Sequence, residues 1–368
     1  MRSTKERNSN FELLRIIAML FIIFHHSVVH GLLNNNTSIG GWTPVATKVW
    51  LTTFTGQMVA TLGKVAVGIF VMISGYFLVN SSINGKKPFK KILMLIVQVY
   101  LYSIIIYFVA AHFKWINPKS TIVLQQTFLP LFYNSCWFVS EYILLYLVYP
   151  YINVALHNIT RQQYRNLIII IAITFTLVPT LVPNFGSYGW YGQLVVFILY
   201  YLIGGYIRLY GTKHECLLGT FLTIAGAALM AVVIFYYDYM GATTHNQQFY
   251  HNSFINIAGQ FSPSIVLMAT GIILLFKNMH LGHNRLINTI AATTFGVYLI
   301  HDNPIMEQMI WLKWLKMPAL LVPNVKHYLI TAVIVCPLIF IICSLIDYVR
   351  ILIFNAISFI FSKFSRSK

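Results

Sequence analysis

The sequence predicts an all-α protein, a polytopic transmembrane helical bundle of about ten spans with both termini cytoplasmic. Three observations lead there. Of the 368 residues, 58% are hydrophobic and only 9% charged, whereas about a quarter of the residues in a soluble domain are charged. Apolar runs of about 20 residues, the length that crosses a bilayer, recur along the whole chain. The lysines and arginines sit between those runs and alternate in density from one loop to the next, as the positive-inside rule requires.

The runs fall near 11–33, 58–80, 89–112, 136–155, 166–183, 190–209, 216–238, 255–277, 290–312 and 327–348, the last continuing as an amphipathic stretch towards Phe361. The first follows Arg2, Lys5 and Arg7 and superficially resembles a signal peptide, but no small-residue cleavage site follows it. It is expected to be an uncleaved first span. With the N-terminus inside, 17 of the 25 basic residues fall in cytoplasmic segments and 7 in outer ones, with Arg15 inside the first span. An even number of spans then returns the C-terminus to the cytoplasm. Three longer outer loops, 34–57, 113–135 and 239–254, are rich in Asn, Gln, Ser, Thr, Tyr and Trp. Such loops suit contact with sugars, and ordinary solvated loops look much the same. No repeat or linker marks a second domain, so residues 1–368 are expected to form one membrane domain, multi-pass in the cell membrane.

The net charge of +17 does not indicate nucleic acid. Nucleic-acid binders cluster their basic residues on one face with stacking aromatics, and here they are dispersed between spans. Cys136, Cys216, Cys336 and Cys343 have no metal-ligand spacing and read as small packing residues.

Charge inside a span needs a reason, and the first span carries Arg15, His25 and His26. On a helix of about 100° and 1.5 Å per residue, Arg15 and His26 lie about 20° apart around the axis and about 16 Å along it. His25 is about 80° away from Arg15 and is the less natural partner, while Glu12 can pair with Arg15 at i, i+3. The helix therefore has a polar seam running from one surface towards the middle. Arg15 either snorkels to the interface or grips an anion bidentately. His26 and His30 share a face at i, i+4, but no acidic ligand adjoins them as in a His-Glu-x-x-His helix, so no metal is predicted.

Gly68, Ser74 and Gly75 near the end of the second span permit close helix packing, and the basic loop after it contains Lys87, Lys90 and Lys91. Those lysines satisfy either the positive-inside rule or a phosphate. Lys64 reads as a snorkelling lysine. Glu141, a turn inside the fourth span, either reaches water or serves acceptor binding or proton transfer. His301, late in the ninth span, is expected at the depth of His26. Together Arg15, His26, His301 and Glu141 would form a polar site crossing the bilayer.

These pieces resemble the acyltransferase 3 family of integral membrane acyltransferases, which place acetyl or other short acyl groups on bacterial surface and extracellular glycans. The resemblance covers essentially the whole chain. It rests on Arg15 and His26 in the first span, Phe70-Val71-Met72-Ile73-Ser74-Gly75-Tyr76-Phe77-Leu78, Trp137-Phe138-Val139-Ser140-Glu141 with Tyr146 and Pro150, and Tyr298-Leu299-Ile300-His301. It implies an essential arginine, carried to Arg15, and an essential histidine in acyl transfer, carried to His26. Members often show an Arg-x-x-Arg pair after the second span, where this chain has Lys87-Pro88-Phe89-Lys90-Lys91.

The expected reaction is O-acylation, with acetyl-CoA or another acyl-CoA as donor and a glycan hydroxyl as acceptor. His26, Glu141 and His301 are the candidate catalytic residues; Arg15, Lys87, Lys90 and Lys91 are the candidate donor contacts. Only a short basic tail follows the tenth span, so no fused outer domain is expected, and an extracytoplasmic partner protein is the natural source of a second activity. The alternative is a transporter or flippase for an anionic lipid-linked sugar, although such proteins commonly carry inverted repeats and interrupted helices.

Overall fold

The computed structural model describes residues 7–32, 50–81, 87–133, 136–182, 190–211, 213–244, 246, 249, 262–317 and 325–366. Every regular element among them is helical. In order they are α1 (Ser9–His26, continued by a π turn, Ser27–Leu32), α2 (Trp50–Leu78), α3 (Lys87–His112), α4 (Thr121–Phe128), α5 (Trp137–His157) and α6 (Arg161–Ala172, continued through a π turn, Ile173–Leu177, to Val178–Leu181). There follow α7 (Trp190–Leu209), α8 (Glu215–Thr244), α9 (Pro263–Lys277), α10 (Arg285–His301), α11 (Pro304–Glu307, leading into a π turn, Gln308–Trp314) and α12 (Val325–Arg366).

Each of the ten predicted spans meets one of these helices. Among the described residues, seven helices are long and apolar enough to cross a membrane, while α7 and α9 contribute shorter apolar stretches, Gln193–Leu209 and Pro263–Lys277. Of the outer loop expected at 34–57, residues 34–49 lie outside the described residues and 50–57 are the first turns of α2; of that at 239–254, residues 239–244 continue α8 and half of the stretch lies outside the described residues. Within the loop expected at 113–135, the chain forms α4.

The predicted ninth span, 290–312, is corrected. The α-helix ends at His301, Asp302 caps it, and Asn303 takes an extended conformation whose side chain accepts from the Ile305 amide before Pro304 opens α11. Proline cannot donate a backbone N–H and pushes the residue before it out of the helical region, so the helix stops where the sequence reads Asn303-Pro304.

The bundle is organised around α2. Burial reaches 72% of the apolar span within α2 but only 11% of that in α6, 22% of that in α8 and 28% of that in α12. The outer helices present side chains such as Phe221, Ile224 and Ile341 outwards, the arrangement expected of a bundle dissolved in lipid. α1 and α2 run antiparallel, with Phe11 packed on Tyr76 at 4.7 Å between ring centroids and His25 near the opposite end bonded to the Ala60 carbonyl at 2.5 Å. Where α2 crosses α7 the backbones touch. A β-carbon added at Gly75 would lie 2.1 Å from the Tyr201 carbonyl oxygen, and one at Gly204 would lie 2.1 Å from that of Met72, so only glycine permits this crossing.

The lipid-facing α12 is tied inwards by Asp347, which is fully buried. Arg350 grips both its oxygens, at 2.6 and 3.0 Å, and Tyr102 of α3 donates to it at 2.6 Å. A carboxylate in this position is stabilised by its charge-assisted partners and becomes costly when they are removed.

Candidate active site

The site is set by the register of α1 against α10. Both helices begin with an asparagine cap: Asn8 accepts from the Asn10 amide and Asn284 from the Ile287 amide. Those starts are bonded to each other, because the Asn284 amide donates to Ser9 Oγ at 2.8 Å and Ser9 Oγ donates to Asn288 Oδ1 at 3.1 Å. The Leu281 amide donates to Asn10 Oδ1 at 3.2 Å, and Asn10 also donates to the Met279 carbonyl. The two helices therefore run parallel from a common level. α1 has 18 residues and α10 has 17; at 1.5 Å per residue each climbs about 26 Å and ends on a histidine. His26 Nδ1 lies 3.0 Å from His301 Nε2.

The tautomers follow from what surrounds the rings. His301 Nδ1 lies 2.6 Å from the Val297 carbonyl oxygen, which only accepts, so Nδ1 is the protonated nitrogen of His301 and Nε2 carries the lone pair. That lone pair, and Asp302 Oδ1 at 3.2 Å, both face His26 Nδ1. Two acceptors require a proton there, so neutral His26 has its own lone pair on Nε2. His26 lines the cavity, while His301 is fully buried behind it. The cluster continues through His30, whose Nε2 is 3.6 Å from Asp302 Oδ1 and whose Nδ1 is 2.8 Å from Glu307 Oε1. His26, His30 and Asp302 are close enough together to hold a metal ion. The local backbone is a π turn beginning at Ser27, a deviation often found at functional sites.

A cavity of about 1000 Å³ runs beside these groups. Arg7, Glu12 and Arg15 line it near the start of α1, Met19 and Ile22 midway, and His26 and His30 beyond, with Gln126, Tyr133 and Gln308 from other segments. From Arg7 to His30 a helix rises about 35 Å, against about 30 Å for a bilayer core. One wall is aromatic: Phe138, Tyr142 and Tyr146 of α5 line it at successive turns, Tyr142 stacked on Phe138 and sharing a 2.7 Å hydrogen bond with Ser74 of α2.

The predicted site residues divide. Arg15 is on the cavity and donates to Glu12 at 2.6 Å, as its i, i+3 spacing implied. Lys91 also lines the cavity; Lys90 is exposed and off it, and Lys87 opens α3. Glu141 is buried, 2% exposed, and the cavity is lined by its neighbours Trp137, Phe138 and Tyr142 rather than by Glu141 itself. Arg7, Lys64, Asp302 and Glu307 are cavity residues to which the sequence reading gave no role in the site. The Asn303-Pro304 break, which ends the helix at Asp302, was the available signal for that residue.

Among the described residues, helices with apolar outward faces enclose a long cavity with a buried His-His-Asp cluster on its wall, the build of a membrane protein with a polar interior site. The family model described as "Acyltransferase domain" (Acyl_transf_3) matches residues 8–348, and the chain belongs to that family. It is a membrane acyltransferase, so the transporter reading falls. No curated protein and no solved structure matches the chain.

Proposed function

We propose that the protein is an O-acyltransferase that moves a short acyl group, acetyl by preference, from cytoplasmic acyl-CoA to a hydroxyl of a surface or extracellular glycan. The observation that carries this reading is one cavity following α1 from the Arg7–Arg15 end to the His26–His30 end, with the His26 ring on its wall.

The Arg15 guanidinium, fixed by Glu12, faces the cavity with Arg7 and Lys91 and suits the phosphates of coenzyme A, since guanidinium remains charged and binds phosphate through paired N–H groups. The pantetheine arm follows the cavity past Met19 and Ile22 so that the thioester reaches His26. His26 Nε2 takes the proton of the acceptor hydroxyl as its oxygen bonds to the acyl carbon. The carbon–sulfur bond then breaks, and the leaving thiolate receives that proton from His26. Products are the acyl ester and free coenzyme A.

During the transfer His26 is an imidazolium, stabilised by Asp302 at Nδ1, while His301 and Asp302 together orient the ring. They are positioning residues, a role that general-base catalysis makes worth testing separately from the base itself. Acceptor access from the His30 end fits the polar side chains there, Gln126, Tyr133 and Gln308.

The test is direct. Purified protein in detergent or nanodiscs, given radiolabelled acetyl-CoA and envelope glycan, should release free thiol and label the glycan in equal amounts, and should lose both in His26→Ala. Label in the glycan undiminished by that substitution overturns the assignment of the base.

A further inference from the structure

We propose that His26, His30 and Asp302 form a binding site for a divalent ion of the zinc class, set into the wall of the cavity. His26 and His30 stand one turn apart on the same strand of helix, a pairing that lacked an acidic ligand in its own sequence. The bundle supplies one from Asp302 at the end of α10. The candidate ligand atoms lie within 4.8 Å of one another, with Asp302 Oδ1 3.2 Å from His26 Nδ1 and 3.6 Å from His30 Nε2. Ligands about 2.0 to 2.1 Å from a tetrahedral zinc are separated by about 3.3 Å, so the two Asp302 contacts already have nearly that spacing and the histidine pair closes by at most about 1.5 Å to meet one ion.

The second observation is the carboxylate behind His30. Glu307 Oε1 is 2.8 Å from His30 Nδ1. That contact fixes the proton on Nδ1 and aims the Nε2 lone pair at Asp302, the carboxylate–histidine–metal relay that supports zinc ligands elsewhere. With no ion bound, a second proton on Nε2 links His30 to Asp302 Oδ1 across 3.6 Å, and a bound cation would take that proton's place between the two. Two imidazoles and one carboxylate are also the ligand set of open zinc sites, and because all three residues line the cavity, the fourth position opens onto it.

The ion and the base compete. Once Nδ1 of His26 binds the ion, the one proton of the neutral ring sits on Nε2, and that nitrogen can no longer accept one. Metal loading therefore inhibits acyl transfer, a consequence that rests on the proposed role of His26, whereas binding itself does not.

The full chain, purified in detergent and stripped with chelator, is titrated with Co²⁺ and then Zn²⁺. One Co²⁺ per chain is expected, with the intense visible absorption of a tetrahedral centre, bleached by Zn²⁺. Asp302→Asn and His30→Ala should each weaken binding more than tenfold and Glu307→Gln by about 10- to 100-fold, whereas the exposed His280→Ala should leave it unchanged. The absence of stoichiometric Co²⁺, or binding that survives both ligand substitutions, overturns the site.

Should those variants fail to fold, wild-type protein treated with diethyl pyrocarbonate gives the same decision by mass spectrometry. Zn²⁺ should protect His26, and undiminished modification of His26 refutes the site. Zinc that binds and leaves transfer undiminished keeps the site but overturns the base; failure to bind removes the site and leaves the base assignment intact.

Discussion

At the scale of single residues, the two adjacent histidines of α1 have unequal work. His25 Nδ1 is committed to the Ala60 carbonyl, whereas His26 Nδ1 faces His301 and Asp302 and leaves Nε2 for the cavity. His26→Ala should lower turnover by about 10²- to 10⁴-fold, the usual worth of a general base, with His25→Ala milder; thiol release by folded variants measures both. Asp302→Asn tests the division of labour between the two groups at Nδ1. In a serine-protease triad the corresponding substitution costs about 10⁴ because the wrong tautomer results. Here His301 Nε2 still accepts from Nδ1, so the ring orientation survives and only the stabilising charge is lost. A fall of about 10- to 100-fold in kcat with little change in KM is expected, less than in His26→Ala; equal losses would mean that Asp302 sets the tautomer alone.

Much of this was legible in the sequence. Helical phase picked out His26 over His25 and paired Glu12 with Arg15, and equal depth paired His26 with His301. Asp302 escaped because it was counted inside an unbroken span. Lys64 was assigned to the interface because the antiparallel pairing of α1 and α2, which sets it beside His25 on the cavity, is a tertiary fact.

At the scale of elements, the positions of the helices followed from apolar length and their ends from local chemistry. The ninth span ran too far because its hydropathy continues through Ile305, Met306 and Ile310 while the backbone turns at Asn303-Pro304. Hydropathy records affinity for an apolar surrounding and says nothing of whether the surrounding is lipid or protein. Packing partners were equally hidden: Gly75 was visible as a small residue, but Gly204 had no signal until the α2–α7 crossing brought it against Met72. Gly75→Ala and Gly204→Ala must each push two backbones apart, so each should destabilise the fold by at least the 1–3 kcal/mol of an overpacked core, read as a lower Tm in detergent. Gly282→Ala provides the comparison, since its added β-carbon would meet nothing within 4 Å although its φ of +63° carries some strain. If all three variants melted alike, close approach of α2 and α7 would not be what Gly75 and Gly204 secure.

At the scale of the whole molecule, the order of groups along α1 becomes a direction. Arg7 and Arg15 line the cavity at the end where α1 begins, and His26 and His30 line it towards the other. The excess of basic residues in loops assigned to the N-terminal side argues that this first end is cytoplasmic. On that orientation a cysteine at Lys119 is labelled by an impermeant thiol reagent outside whole cells, and one at His283 is not, in a background with Cys136 and Cys216 replaced. Reversal of the two would invert the bundle.

The same orientation predicts the route of the acyl group. In inside-out vesicles, acetyl-CoA added to the exposed cytoplasmic face should label an acceptor enclosed in the lumen; in right-side-out vesicles, external donor should not. Arg15→Lys keeps the charge but gives up paired N–H contacts to phosphate, so the KM for donor should rise several-fold while the KM for acceptor stays near its wild-type value. A transmembrane route requires donor and acceptor to reach His26 from opposite ends of the cavity, so labelling that requires both on the same face would refute it even in an active acyltransferase.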